Sequence, residues 1–111
     1  MSAFSEKGLL GELEQLVLLA ALRLEQPYAV AIRDEIERRT GIAMSRGSVY
    51  VTLDRLDRKG YLRSWFADPT PERGGKAKRC FSVTTSGQQA LRAAQQAIAR
   101  LRLARPATSG R

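Results

Sequence analysis

Apolar residues recur in steps of three and four along four stretches of this chain, and between the third and fourth stretch they switch to alternation. In "LLGELEQLVLLAALRLEQP", Leu13, Leu16, Val17, Ala20 and Leu24 mark one face of an amphipathic helix. Leu18, Leu19 and Leu22 widen that face, which implies burial on more than one side, and Pro27 is expected to end the helix. In "YAVAIRDEIERRTG", Tyr28, Ile32 and Ile36 share a face while Arg33, Glu37, Arg38 and Arg39 point outward. Gly41 stands where a C-cap glycine belongs, and the arginines of the last turn suit the helix dipole.

The third stretch, "MSRGSVYVTLDRLDRKGYL", has Ser45 as a good N-cap and Val49, Leu53, Leu56 and Gly60 as its inner face. At about 100° per residue, Gly47, Val51, Asp54 and Arg58 fall on the opposite side, with Ser48 and Arg55 on one edge and Tyr50 on the other. Its back is built for packing, and its front end is small and cationic.

After Gly60 the period shortens. "LRSWF" alternates as a strand, with Trp65 on the face opposite Leu62, Ser64 and Phe66 and expected to pack under the following loop or against the last helix. "ADPTPERGGKAKR" has the prolines and paired glycines of a hairpin loop, and "CFSV" returns with Phe81 and Val83 on one face. "TTSGQQALRAAQQAIARLRLA" resumes helical spacing. Thr84 or Thr85 caps it, Thr85 and Gln88 being able to form a capping box. Leu91, Ala94, Ile98 and Leu101 make a heptad seam beside a stripe of Ala90, Ala97 and Ala104. Pro106 ends this helix, and the tail, 105–111, reads as disordered. No internal repeat is visible.

Helix, helix, helix, hairpin, helix is the order of a mostly α protein with a small β-hairpin: a winged helix-turn-helix followed by a C-terminal dimerisation helix. The expected division is a DNA-binding winged helix-turn-helix over 9–83, the dimerisation helix over 84–104 and the tail over 105–111.

Charge strengthens this reading. The formal net charge is +8, from 19 basic and 11 acidic residues in a chain of 111. Acids outnumber bases before Arg46, bases outnumber acids from Arg46 to Arg79, and from Cys80 onward there are arginines and no acid. Such asymmetry favours a polyanionic partner, most often nucleic acid, although a solvated basic surface kept for solubility accounts for the charge equally well, and it is the winged helix-turn-helix order that makes double-stranded DNA the expected partner. The lack of histidine excludes a Ser-His-Asp triad, a Cys-His dyad and a Cys/His zinc site. With no Gly-rich phosphate loop leading into a helix either, neither an enzyme nor a cofactor is expected. The single cysteine, Cys80, forms no intrachain disulfide; it is either a redox sensor or, as its place in a strand favours, a buried inert thiol. No apolar run reaches the roughly 18 residues of a membrane span, and no basic flank leads into a signal-peptide core, so a soluble cytoplasmic protein is expected.

The chemistry then falls on the third helix and the hairpin. A helix of this kind enters the major groove and touches base edges with its N-terminal residues. The candidate base readers are Arg46, bidentate to guanine, Ser48, Val51 against a thymine methyl, and Arg55; a good bidentate pair is worth roughly 1–3 kcal/mol of discrimination. The candidate phosphate contacts are Ser45, Tyr50 and Thr52 on the helix and Arg73, Lys76, Lys78 and Arg79 on the wing. The alternatives are ordinary surface arginines, a Tyr50 that covers the core rim, and lysines that blunt an edge strand. Asp54 either pairs with Arg58 one turn on or accepts from a cytosine amine.

The seam Leu91–Ala94–Ile98–Leu101 is too apolar for water. Burying it supplies roughly 4–8 kcal/mol before costs, at about 25 cal/mol per Å². With the first helix it is expected to form a two-fold interface, presenting two reading helices about 34–36 Å apart to a pseudo-palindromic operator. A winged-helix module for protein partners and a low-specificity architectural DNA-binding protein are the alternatives.

"LGELEQLVLLAAL" (10–22), "YAVAIRDEIERRTG" (28–41), "SRGSVYVTLDRLDRKGYL" (45–62), "DPTPERGGKAKRCF" (68–81) and "VTTSGQQAL" (83–91) together resemble the PadR family of bacterial transcriptional regulators, over roughly 9–91. The resemblance implies a homodimer that represses transcription, often of a neighbouring transporter or detoxification gene. It places the reading helix on 45–59, with Tyr50 at the motif tyrosine, and the wing on 68–79. The sequence departs from the family at Cys80 and Phe81, where many members carry tyrosines, and at Val51, where a polar residue is common. In some short members, aromatic residues on the last helix help to form a drug-binding space at the dimer interface. No aromatic residue follows Phe81 here, so that mode of ligand stacking lacks its residues, and any inducer is left unidentified.

Overall fold

A computed structural model describes residues 9–67 and 78–105. Three helices come first: α1 (Glu12–Arg23), α2 (Ala29–Thr40) and α3 (Arg46–Arg58). An antiparallel pair, β1 (Leu62–Phe66) and β2 (Arg79–Val83), follows in the register Leu62↔Val83 to Phe66↔Arg79, and α4 (Thr85–Leu103) ends the fold. The wing tip, with Arg73 and Lys76, and the tail beyond Arg105 lie outside the described residues.

Local chemistry sets the boundaries. The Gly11 N–H at the start of α1 donates to Glu14 Oε1 at 2.9 Å. The helix stops at Arg23, short of Pro27, and Leu24 is already extended. The stretch to Tyr28 runs extended because β2 uses it: the Phe81 N–H donates to the Pro27 carbonyl at 2.9 Å, and Tyr28 bridges Cys80. Tyr28 is therefore the N-cap of α2 and not part of its inner face, as its spacing had suggested. Gly41 closes α2 with φ of 76°, a left-handed conformation that costs glycine little. Ser45 caps α3 by accepting the Ser48 N–H at 3.1 Å. Thr84, of the two candidate threonines, caps α4: its hydroxyl accepts from the Gly87 N–H at 3.0 Å and donates to the Gly60 carbonyl at 2.7 Å. Gly87 is required there by close approach, since a Cβ would sit 2.2 Å from the Tyr61 carbonyl oxygen.

The core gathers Val17 and Leu18 from α1, Ile32 and Ile36 from α2, Val49, Leu53 and Leu56 from α3, Leu62 and Phe81 from the hairpin, and Ala90, Leu91 and Ala94 from α4. The broad apolar surface of α1 is divided, with Val17, Leu18, Ala20 and Ala21 inside and Leu13, Leu19 and Leu22 exposed. The heptad seam of α4 is divided too. Leu91 and Ala94, expected at an interface between subunits, are buried in the subunit's own core, because the first turns of α4 lie against α1 and β2. Ile98 and Leu101 stay open, Leu101 at 83% exposure.

Two buried acids brace the helices, and the helical spacing gave no notice of either. Lys59 at the end of α3 donates to Glu14 of α1 at 2.8 Å. Burial pushes the Glu14 carboxyl up, but the Lys59 and Gly11 hydrogen bonds outweigh it and leave it below its ordinary value. Glu35 of α2 accepts from Arg23 Nε of α1 at 2.9 Å, from Arg39 Nε at 3.1 Å and from Arg38 Nη2.

Candidate nucleic-acid interface

The outward face of α3 follows from its cap and its wheel. Ser45 fixes the first turn, Gly47 keeps it slim, and Val49, Thr52, Leu53 and Leu56 turn the rest of the helix onto the core. Arg46, Ser48, Tyr50, Val51, Arg55 and Arg58 are left exposed. Arg46, Arg55 and Arg58 form no ion pair with any described residue. Val51, Asp54, Arg55, Arg58 and Lys59 line an open hollow of about 320 Å³ along this face. The two serines are tied together as the cap, Ser45 Oγ donating to Ser48 Oγ at 3.0 Å, and both remain exposed.

Thr52 is not part of this surface. It is 2% exposed, and its hydroxyl donates back to the Ser48 carbonyl at 2.8 Å, so the expected phosphate contact is corrected to a core position. The helical wheel already held the signal, because Thr52 follows Val49 by three residues and precedes Leu56 by four.

Arg79 is also turned away from the expected role. One end of its guanidinium donates to Asp54 Oδ1 at 2.9 Å, and the other to Asp57 Oδ2 at 3.0 Å and Ser64 Oγ at 3.3 Å. Its carbon lies 5.0 Å from the Phe81 ring centre. The expected free phosphate contact is thus a guanidinium held by two carboxylates. Asp54 pairs with Arg79 at the wing root and not with Arg58. The sequence hid this because the partners lie 25 and 22 residues apart.

Lys78 stands one residue earlier, its ammonium 4.0 Å above the Tyr28 ring. Tyr28, Ala29, Val30, Tyr50, Phe66, Lys78 and Arg79 line a groove of about 360 Å³ between α3 and the wing root. Trp65 is partly exposed under the Arg63 guanidinium, beside Pro27, Tyr28 and Cys80. Cys80 is buried, its thiol pointing to the Lys78 carbonyl at 3.9 Å.

The arginines of α2 contrast with those of α3. The Arg23 hydrogen bond, with those of Arg38 and Arg39, holds the Glu35 carboxyl at about 2, against an ordinary 4.5. Arg23 of α1 and Arg38 and Arg39 of α2 are thereby each paired with one buried carboxylate, although their own side chains stay open to solvent. Among the described residues no group of three His, Cys, Asp or Glu could hold a metal ion, and no helix is long and apolar enough to cross a membrane.

A sequence model of the PadR-like transcriptional regulator family matches residues 18–93. Solved structures share the fold. A PadR-like transcription factor from Bacteroides fragilis is 22% identical, with 81% of this chain and 82% of that chain covered and a TM-score of 0.69. A PadR family transcription regulator from Clostridium difficile is 17% identical, with 83% and 92% covered and a TM-score of 0.69. A PadR-like regulator from Bacillus cereus is 18% identical, with 81% and 84% covered and a TM-score of 0.65. No curated protein matches the chain.

Proposed function

The chain belongs to the PadR-like family of transcriptional regulators, and from that premise we propose that it is a cytoplasmic homodimeric repressor that reads a pseudo-palindromic operator with α3. The observation that carries this reading is the open face of α3, where Arg46, Arg55 and Arg58 are exposed and form no ion pair among the described residues. Arg46, in the first turn, grips a guanine edge with two hydrogen bonds, Ser48 donates to a neighbouring base, Val51 meets a thymine methyl and Arg55 reads at the far edge. The cap residue Ser45, Tyr50 and Lys78 take backbone phosphates, joined by Arg73 and Lys76 of the wing tip.

Dimerisation uses what the subunit's core leaves over. Ile98 and Leu101 on the far half of α4, with Leu13, Leu19 and Leu22 of α1, supply exposed apolar surface for a second copy. The winged helix-turn-helix over 9–83 then does the reading and the helix over 84–104 does the pairing.

Selection from a random duplex pool, followed by electrophoretic shift on the recovered duplex and a scrambled duplex at two salt concentrations, tests this reading. A preference of about 10³-fold or more for the recovered duplex is expected, with sedimentation giving a dimer. Equal binding to both duplexes would indicate an architectural coat. Absence of any shift in dilute salt would indicate a module for protein partners.

A further inference from the structure

We propose that Arg79 serves DNA binding as a positioning residue: it offsets half of the charge of Asp54 and Asp57 on the reading helix and pins the wing root to that helix, without taking a phosphate itself. The inference rests on the DNA-binding reading of α3. Asp54 and Asp57 are two acids on a helix whose other outward charges are basic, and both are partly open to solvent, at 46% and 32% of their side chains. Asp54 shares a hollow with Val51, Arg55 and Arg58. Left alone, a carboxylate there would repel the backbone that those arginines attract.

Arg79 answers both acids at once. Its planar fork reaches Asp54 from one end and Asp57 from the other, at 2.9 and 3.0 Å, a span that a single ammonium does not reproduce. Ser64 of β1 closes the cluster, donating to Asp57 at 2.9 Å and accepting from Arg79 at 3.3 Å. Arg79 opens β2 opposite Phe66, at the point where the wing leaves the domain. The contact therefore fixes the wing root against α3 as well as removing charge from its face. One guanidinium shared by two carboxylates leaves a local charge of minus one, the wrong sign to attract a phosphate.

The test uses the full-length protein with the duplex recovered by selection and its scrambled counterpart. Arg79→Gln weakens binding to the recovered duplex tenfold or more. Adding Asp54→Asn and Asp57→Asn to Arg79→Gln restores binding to within threefold of wild type, because the neutral amides no longer need the cation and can hydrogen-bond the new amide to keep the wing root in place. A triple variant as weak as Arg79→Gln overturns the proposal, as does an Arg79→Gln protein that binds like wild type. Asp54→Asn/Asp57→Asn with Arg79 kept supplies the test even if Arg79→Gln does not fold. Release of the guanidinium raises affinity for the scrambled duplex threefold or more, and no rise overturns the proposal. A wild type that shifts neither duplex removes the DNA-binding reading and this inference together. A wild type that shifts, with a triple variant that stays weak, removes this inference alone.

Discussion

Arg38 and Arg39 at the end of α2 and Arg46 and Arg55 on α3 are exposed arginines on either side of one tight turn, and they have opposite electrostatic fates. The first pair, with Arg23, converges on Glu35, whereas the second pair forms no ion pair among the described residues, Arg55 acting on the Glu14 carboxylate only at longer range. A count of basic residues treats them alike. A polyanion responds to the potential left after internal pairing, and Arg46 and Arg55 of α3 belong to that remainder whereas Arg38 and Arg39 do not. The two halves of α4 repeat the lesson with apolar side chains, since Leu91 and Ala94 are used within the subunit and Ile98 and Leu101 are left for a partner.

The largest effect is expected from breaking the comparison on its open side. Arg46→Ala/Arg55→Ala should cost about 2–6 kcal/mol of binding to the recovered duplex, at roughly 1–3 kcal/mol for each base-reading arginine, with Tm unchanged. Arg38→Ala/Arg39→Ala should stay within threefold of wild type in the same shift assay. Equal losses from the two pairs would erase the distinction between them.

The divided seam predicts the next effect. Leu91→Ala should destabilise the fold by about 2–5 kcal/mol in urea denaturation, as core leucine truncations do. Leu101→Ser should leave the circular dichroism spectrum intact and raise the dimer dissociation constant tenfold or more by sedimentation equilibrium. A Leu101→Ser protein that self-associates like wild type would remove the far half of α4 from the interface.

The smallest effect sharpens the closed side. Glu35→Gln leaves three arginines facing a neutral amide and should lower Tm by about 5 °C at neutral pH. The Glu35 carboxyl is depressed in the folded protein, so its stabilisation is fully present above about 4.5 and is lost as pH falls toward about 2. The Tm difference between wild type and Glu35→Gln should therefore narrow over that interval. A difference that stays constant from pH 6 to pH 3 would mean that the ionised carboxylate does not hold the cluster.

What the sequence disclosed follows the range of the forces involved. Caps and periods are local, so Ser45, Gly41, the inner face of α3 at Val49, Leu53 and Leu56 and the strand Leu62–Phe66 were all legible, while Gly60, expected on that inner face, lies exposed in the turn after the helix. Pairing between distant segments was not. Asp54 meets Arg79 across the hairpin, Lys59 reaches Glu14 across 45 residues, and Pro27 and Tyr28 are drawn out of helix by β2. Thr52 was legible in principle, but its hydroxyl suggested a ligand contact where its angle on the helix placed it in the core. The seam of α4 had the right period for an interface, yet a period does not state how many of its residues the subunit itself consumes.

Amide chemical-shift mapping of the labelled protein, titrated with the recovered duplex, tests the central claim most directly, because it observes both arginine sets in one sample. The account predicts that the amides of Arg46, Gly47, Ser48, Val51 and Arg55 move most, while those of Arg38 and Arg39 hold still. Perturbation centred on the end of α2, with α3 unmoved, would contradict it.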